Sequence, residues 1–506
     1  MPGDDALARE RIEHVVVLML ENRSFDHLFG FLDHPKGDAF PGLRGKQFPN
    51  PHDLTERNGT TADVSDDAEP LLAVDPPHGH LGAKLQMNGK RWRAFQMNGF
   101  VSAYAQKLAG REPIPVIHWA RINGVLVVLA PLFASALRTL WRRVADGEVV
   151  GFLAWFLPAV LVVAGSVRGL QVDRLLGWRW RKLIGPVLGV AFVLAATAEG
   201  ALRLATHGWD GLTPWLVAVV VVIVPLVWRQ ARKARQRARV PTGELRKASE
   251  QVMRCMPPER IPVMAELARR FAVCTAWFSS VPGATWPNRN LAHASTSEET
   301  VDIELGFYDA PTVFELLERE HPRVKRPWHV YYDGRAQLLA FHRLWAGERA
   351  GHWFPMKRFF DHVAEDALPM YSFVEPRHTG SRSNSQHPGN NEHATGGSSD
   401  FERGEDLVRR IYESLYAKPE VFRKTLLVVT YDEHGGLFDH VPPPRAKHPQ
   451  PLRYARCRLD LTRKIIAFFV ENRHSPFDFR CYGPRVPAVV VSPWIADGRI
   501  DDTLYD

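Results

Sequence analysis

The pattern of apolar and polar positions divides the chain into three stretches of different texture. From Ile12 to Leu20 the run IEHVVVLML is apolar and β-branched, which predicts a buried strand, and ENRSFDHLFGFL after it predicts a strand-to-helix turn. A polar, Gly/Pro/Asp-rich stretch from about Pro35 to His80 predicts surface loop, and Gly82 to Tyr104 turns helical. From Ile261 onward strand and helix patterns alternate. A helix is expected at MAELARRF, a loop around Gly283 and Pro287, a helix from about Thr312 and a polar loop from Arg377 to Asp400. A helix around Glu405 to Tyr416 and the strands TLLVVTYD and PAVVVSP follow. Such alternation predicts an α/β fold, a mostly parallel sheet covered on both faces.

Between these two α/β stretches lie four apolar runs, Ile122 to Leu137, Val149 to Val167, Leu183 to Ala198 and Leu212 to Trp228. Each has about 16 to 19 residues without a charge, at or slightly below the length that crosses a bilayer. Trp119, Trp141, Trp178, Trp180, Trp215 and Trp228 sit near the run ends, where membrane interfaces favour tryptophan. Helices hydrophobic all round also fill large cores, so a buried helical subdomain is the alternative. The expectation is an all-α transmembrane insert of about four helices. It splits a catalytic domain into a first part, 1–112, and a second part, 246–506, with the insert and its basic linker at 113–245.

Charge sharpens that expectation. The chain carries a net +8, but the segment from Glu112 to Lys247 alone holds 18 Lys and Arg against 7 Asp and Glu, and the remainder is net −3. Positive charge confined to the hydrophobic segment points to a membrane partner and not to nucleic acid. An even number of crossings returns the chain to the side it left. Loops on the catalytic side carry Arg168, Arg174, Arg179, Arg181, Lys182 and six basic residues from Arg229 to Arg239; the opposite loops carry Arg138, Arg142, Arg143 and Arg203. The positive-inside rule then predicts a multi-pass inner-membrane protein with its catalytic side in the cytoplasm. The opening MPGDDALARERIEHVVVLML has no small-residue cleavage site and does not read as a secretory signal. The four cysteines form no CxxC pair and no zinc spacing, so we read them as buried small hydrophobes.

Two predicted strands end in hard oxygen donors, one in Glu21 and Asn22, the other in Asp432, Glu433 and His434. Ligand sites of open α/β sheets lie beyond the carboxyl ends of the strands, so the two groups can converge there, and their chemistry suits a hard or borderline divalent cation. Asp432 to His440 holds five titratable groups in nine residues around Gly435 and Gly436. In SSVPGATWPNRN, Thr285 sits in a Gly/Pro turn that can hold a hydroxyl beside a metal as a nucleophile. Each feature alone also reads as a solvated loop residue, a helix cap or an ordinary turn threonine.

Taken together, HVVVLMLENRSFDHLFGFL, DPPHGH, WFSSVPGATWPNRNLAHASTS, NSQHP, VTYDEHGGLFDHVPPP and GPRVPAVVVSPWI resemble, in order, the motifs of the phosphoesterase family of bacterial phospholipases C and a related acid phosphatase. The resemblance covers roughly 12–110 and 250–506. It implies a three-layer α/β/α sandwich like that of alkaline phosphatase, and a divalent metal held by oxygens at Glu21, Asn22, Asp432 and Glu433. It also implies a nucleophile at Thr285, with His78, His387, His434 and His440 as the histidines that line the phosphate site or protonate the leaving group. The expected activity is hydrolysis of a phosphodiester, a phospholipid head group, through a phospho-threonine. A phosphomonoesterase or a catalytically weakened membrane scaffold is the alternative. Before the nucleophile the family pattern reads Cys-Asp-Arg-Trp-Phe, where this chain has Cys274-Thr275-Ala276-Trp277-Phe278.

Overall fold

The structure is a computed structural model that describes residues 11–54, 59–89, 94–110, 242–298, 300–303, 308–390, 398–449 and 477–505. The four apolar runs expected to span a membrane lie outside the described residues. Among the described residues no helix is long and apolar enough to cross a membrane. The chain separates into two compact units, and the first comprises Met1–Glu112, Pro241–Cys457 and Phe477–Asp506.

Ten strands are present among the described residues: β1 (His14–Leu20), β2 (Asn50–Pro51), β3 (Thr61–Ala62), β4 (Ala272–Cys274), β5 (Trp328–Tyr332), β6 (Trp353–Pro355), β7 (Tyr371–Glu375), β8 (Thr425–Tyr431), β9 (Ala488–Val491) and β10 (Arg499–Asp501). β2 and β3 pair separately as a small ribbon; the other eight form one sheet in the order β10-β4-β9-β8-β1-β7-β5-β6. The expected strands at HVVVLML, TLLVVTY and AVVV are all present. β9, however, runs antiparallel to both β8 and β4, against an otherwise parallel sheet. A fully apolar strand reads the same in either direction. Its direction follows from the approach of the chain: Arg485, three residues before β9, contacts Asp439 beyond the carboxyl end of β8, so β9 starts there and runs back.

The period-two pattern of the strands feeds two apolar layers. Val16, Leu18 and Leu20 of β1 face a cluster with Met264, Ala265 and Leu267 of one helix (Pro262–Arg270) and Phe401, Leu407, Val408 and Ile411 of another (Asp400–Tyr416). Val17 and Met19 face the opposite layer with Phe314, Trp328, Phe341 and Phe373. Helices therefore cover both faces, as an α/β architecture requires. Burying each such Val or Leu contributes roughly 1.5–3 kcal/mol, so the strands that carry the site are the best-anchored part of the sheet.

We label five of the helices that frame the site: α1 (Phe25–Phe29), α2 (Pro262–Arg270), α3 (Thr285–Ala294), α4 (Val313–Glu320) and α5 (Asp400–Tyr416). α4 and α5 each begin with a capping box, Thr312 with Glu315 and Ser399 with Glu402, which satisfies two otherwise orphaned backbone groups. On the buried side of α5, Glu405 accepts hydrogen bonds from the N–H of Val263 (2.8 Å) and Met264 (3.3 Å) in the first turn of α2, and from Gln386 (3.4 Å).

Burial pushes the Glu405 carboxyl up to about 7 from 4.5 despite these bonds. A folded pKa above the unfolded one means that the folded state holds the proton more tightly. The group therefore weakens the fold as pH rises from 4.5 toward 7. Thermal melts of the wild type and Glu405→Gln should diverge over that interval. The variant gains on the order of 3 kcal/mol relative to the wild type, because a neutral acceptor replaces a carboxylate that must ionise in the core. A constant difference between the two proteins from pH 4.5 to 7.5 would contradict this.

Candidate active site

The site is built where β1 and β8 end side by side. Their parallel register pairs Leu20 with Tyr431, so the next residues of both strands, Glu21 and Asn22 on one and Asp432 and Glu433 on the other, leave the sheet together. The N–H of Asp432 still donates to Leu20 O (3.2 Å). Asn22 then turns into the left-handed region (φ 58°), which asparagine tolerates better than most residues, and its N–H donates to Asp432 Oδ1 at 3.1 Å. Glu433 N–H donates to the same oxygen at 2.8 Å.

The β8 turn fits against this bend because it has no side chain there. Gly435 has φ +67°, and a Cβ on it would lie 2.1 Å from Asn22 O. A second set of contacts clamps the two turns. Ser24 Oγ donates to Phe438 O (2.5 Å), His440 N–H donates to Asp26 Oδ2 (2.6 Å), and buried Arg485 joins Asp26 (2.9 Å) to Asp439 (3.0 Å).

Thr285 comes to this place from a different part of the chain. It is the first residue of α3, and the preceding turn is held by Asn288, whose Oδ1 accepts from Val281 N–H while its Nδ2 donates to the carbonyls of Gly283 and Ala284. A Cβ on Gly283 would sit 2.1 Å from Val301 O, so the turn requires glycine. The Thr285 hydroxyl donates to Asn22 Oδ1 at 3.4 Å, and the helix N-terminus adds a favourable field for an anion at that position. Where the family pattern has Asp-Arg, Thr275 N–H and Oγ1 donate to Asp501 O, and Arg485 donates to Thr275 O. A backbone contact and the clamp arginine therefore occupy the position of the missing charge pair.

The structure separates the expected histidines. His387 reaches the site, with Nε2 3.0 Å from Asn22 Nδ2 and Nδ1 accepting from Gly389 N–H (3.0 Å). His78 stands beside it, ring to ring at 5.6 Å, and hydrogen-bonds Pro76 O through Nδ1 (2.9 Å). His434 is fully buried, with Nε2 2.7 Å from Gln86 Oε1 and Nδ1 3.3 Å from Glu433 Oε2, and burial lowers its pKa to about 3. His440 belongs to the clamp, with Nδ1 2.7 Å from Asp26 Oδ2.

Four polar residues join the site that the sequence motifs did not single out: Arg289, Glu375, His378 and Asp75. Buried Arg289 lies one helical turn after Thr285 and pairs with Asp432 (2.9 Å) and Glu375 (3.5 Å). His378 lies between Glu21 (2.9 Å) and Glu375 (3.0 Å). Glu375 ends β7, so the rule that flagged Glu21 and Asp432, an apolar strand closing on a carboxylate, applies equally to YSFVE. Charge follows burial and partner. Burial alone would raise Glu21, but the His378 cation beside it holds that carboxyl well below the usual range. His378 in turn rises to about 9, because Glu21 and Glu375 outweigh its desolvation. Burial raises Asp432 against the pull of Arg289, and pushes Glu433 well above the ordinary carboxyl range.

Two groups of side chains bear on cation binding. Glu21 Oε2 and Glu433 Oε1 are buried oxygens with no hydrogen-bond partner. The group of His, Cys, Asp and Glu ligand atoms lying within 4.8 Å of one another among the described residues is instead Asp75, His78 and His387. The two sets adjoin through the contact between Asn22 and His387. Asp432, expected as a ligand, spends Oδ2 on Arg289 and Oδ1 on two backbone N–H groups, which leaves it less free than Glu21 or Glu433.

Comparison with known proteins agrees with this architecture. A model of the Phosphoesterase family matches residues 12–141 and 228–506. The chain is 35% identical over 258 residues to non-specific phospholipase C3 of Arabidopsis thaliana, covering 49% of this chain and 44% of that protein. It is 25% identical over 317 residues to a non-hemolytic phospholipase C of Pseudomonas aeruginosa, covering 56% and 42%, and 25% identical over 289 residues to that of Burkholderia pseudomallei, covering 49% and 38%. The chain thus spans less than half the length of these curated relatives.

The close approach of the two turns is open to a direct test. Gly435→Ala must relieve both a positive φ and a 2.1 Å overlap with Asn22 O, whereas Gly45→Ala, at φ +72° with nothing within 4 Å, carries only the dihedral penalty of about 1–2 kcal/mol. Chemical or thermal unfolding should show Gly435→Ala less stable than Gly45→Ala by at least about 2 kcal/mol. Equal stability of the two variants would mean that the turns are not in contact.

Proposed function

The chain belongs to the Phosphoesterase family, and from that premise we propose that it hydrolyses a phosphodiester, a phospholipid head group, with Thr285 as nucleophile. The observation that carries this reading is the Thr285 hydroxyl, at a helix N-terminus and 3.4 Å from Asn22 Oδ1, the residue that follows Glu21 and whose N–H is bonded to Asp432. Thr285 Oγ loses its proton to water and attacks phosphorus, the P–O bond to the diacylglycerol oxygen breaks and that oxygen takes a proton from His387 or His78, and the phosphorylated head group stays esterified to Thr285 until water releases it; a phosphomonoester leaves a plain phospho-threonine instead. Glu21, Asn22 and Glu433, with Asp432 behind them, would hold a divalent cation. When bound, it supplies a lowered pKa at the Thr285 hydroxyl and charge withdrawal from a phosphoryl oxygen. Asn22 contributes an oxygen there without adding a negative charge that would repel phosphate. The phospholipase C relatives favour a lipid diester, while a phosphomonoester would engage the same groups.

Thr285→Ala removes one hydroxyl from a turn held by Asn288, so the fold should persist while turnover of phosphatidylcholine and of p-nitrophenyl phosphate falls by far more than tenfold, beyond one 1.4 kcal/mol step. Phospho-threonine should be trapped in the wild type by acid quench during turnover of p-nitrophenyl phosphate. A variant keeping more than about a tenth of the rate would move the attack to another group.

We further propose that 121–228 forms four membrane-spanning helices that hold the site beside lipid on the cytoplasmic side of the inner membrane. The described residues add one support. The helices on either side of the insert, Phe100–Leu108 and Thr242–Ser249, pack against each other, so the chain leaves the catalytic unit and re-enters it at one place. The protein should stay in the membrane pellet in alkaline carbonate, and cysteines introduced at Gly147 and Gly211 should label from the periplasmic side. Release into the supernatant would exclude the spanning helices, and labelling from the cytoplasmic side alone would reverse the orientation.

A further inference from the structure

Arg289 is a fully buried cation whose side chain touches three strand ends at once. It lies four residues after Thr285 on the same face of α3. Nε donates to Asp432 Oδ2 at 2.9 Å, at the end of β8. Nη2 donates to Met19 O (3.0 Å) and Leu20 O (3.2 Å), the last carbonyls of β1. Nη1 donates to Glu375 Oε1 at 3.5 Å, at the end of β7. One planar group thus connects the helix that begins with Thr285 to all three strands whose ends carry the site's carboxylates.

Two features set it apart from a buried ion pair that only fills the core. The first is what it holds: Asp432 Oδ1 already accepts from Asn22 N–H and Glu433 N–H, so the Arg289 bond to Oδ2 fixes this carboxylate from its other side. The second is contrast. Arg485 joins Asp26 to Asp439, and Arg23 donates to the carbonyls of Gln386 and Pro70; both are as deeply buried, and neither bonds a residue of α3. Burying an arginine costs several kcal/mol unless partners repay it, and Asp432, Glu375 and two carbonyls do so here. With four of its five N–H donors engaged and no exposed surface, Arg289 is placed to act through the groups it holds.

We propose that Arg289 is a positioning residue, which holds the helix that begins with Thr285 against the end of β8 and so sets the Thr285 hydroxyl against Asn22 Oδ1, coupling nucleophile placement to cation binding. This rests on the reading of Thr285 as nucleophile. Lysine would keep the charge, but a single ammonium cannot address Asp432, Glu375 and two carbonyls in one plane.

The test uses the full chain with Arg289→Lys, and Glu375→Gln as a second variant that loosens the same guanidinium without removing it. Zn2+ and Mn2+ are titrated separately by calorimetry into chelator-treated protein, and kcat and KM for p-nitrophenyl phosphate are normalised to the phospho-threonine burst. Arg289→Lys should keep KM within about threefold, lose about 100-fold in kcat and lose at least about tenfold in cation affinity, with Glu375→Gln moving the same way by less. A merely structural role would lower the melting temperature while leaving burst-normalised kcat and cation affinity as in the wild type, and that result overturns the proposal. If Arg289→Lys does not fold, unchanged kcat and cation affinity in Glu375→Gln overturn it alone. Absence of a phospho-threonine burst in the wild type would instead remove the nucleophile reading, and the cation-affinity comparison would still decide the role of Arg289.

Discussion

The register between β1 and β8 is the constraint on which the rest of the site depends. Leu20 pairs with Tyr431, and because side chains alternate along a strand, a slip of one residue would turn Glu21 and Asp432 to opposite sides of the sheet end. The register is well specified because both strands are buried on both faces. Val16, Leu18 and Leu20 are locked into one apolar layer and Val17 and Met19 into the other. The site inherits its precision from apolar packing several residues away, and the polar bonds between Asn22, Asp432 and Glu433 then need only refine it.

Bringing carboxylates together at a dry sheet end creates an electrostatic problem that the fold answers with two cations. Glu21, Glu375, Asp432 and Glu433 are all buried, and Arg289 and His378 are placed between them. Glu433 lies outside this pairing, and burial raises its carboxyl well above the ordinary range. A site short of positive charge and lined with oxygen suits a divalent cation and, through it, a phosphate ester.

The unit that holds the site is assembled from pieces far apart in sequence. Contacts between the first and the later pieces are regular: Cys255 N–H donates to Ser65 O, Ala68 N–H to Cys255 O and Met256 N–H to His27 O, and Arg254 and Arg260 pair with Asp67 and Glu69. The surface pairs add little stability, but the backbone bonds fix how the piece bearing Glu21 meets the piece bearing Thr285. An intervening segment of more than a hundred residues can be accommodated because loop-closure entropy grows slowly with length once the ends are held together.

What the sequence determined by itself was local and chemical. Apolar β-branched runs identified β1, β8 and β9, and a carboxylate directly after an apolar strand marked Glu21 and Asp432, while Glu375, which closes β7 in the same way, was not singled out. The glycines near Asp432 and Thr285 marked turns, and the close backbone approach at Gly435 and Gly283 is a tertiary fact. Tertiary structure alone decided partners. Nothing in the spacing of five titratable residues in DEHGGLFDH distinguishes His434, buried against Gln86, from His440, held by Asp26, because each answer depends on a segment hundreds of residues away. The direction of β9 could not be read from four valine-rich residues buried on both faces. Arg289 fell where the sequence predicted a loop around Gly283 and Pro287; the structure instead starts a helix at Thr285, and the one-turn offset of Arg289 from Thr285 places it among three strand ends. Pattern records how much of a side chain is hidden from water, whereas function here rests on which groups share the hidden space.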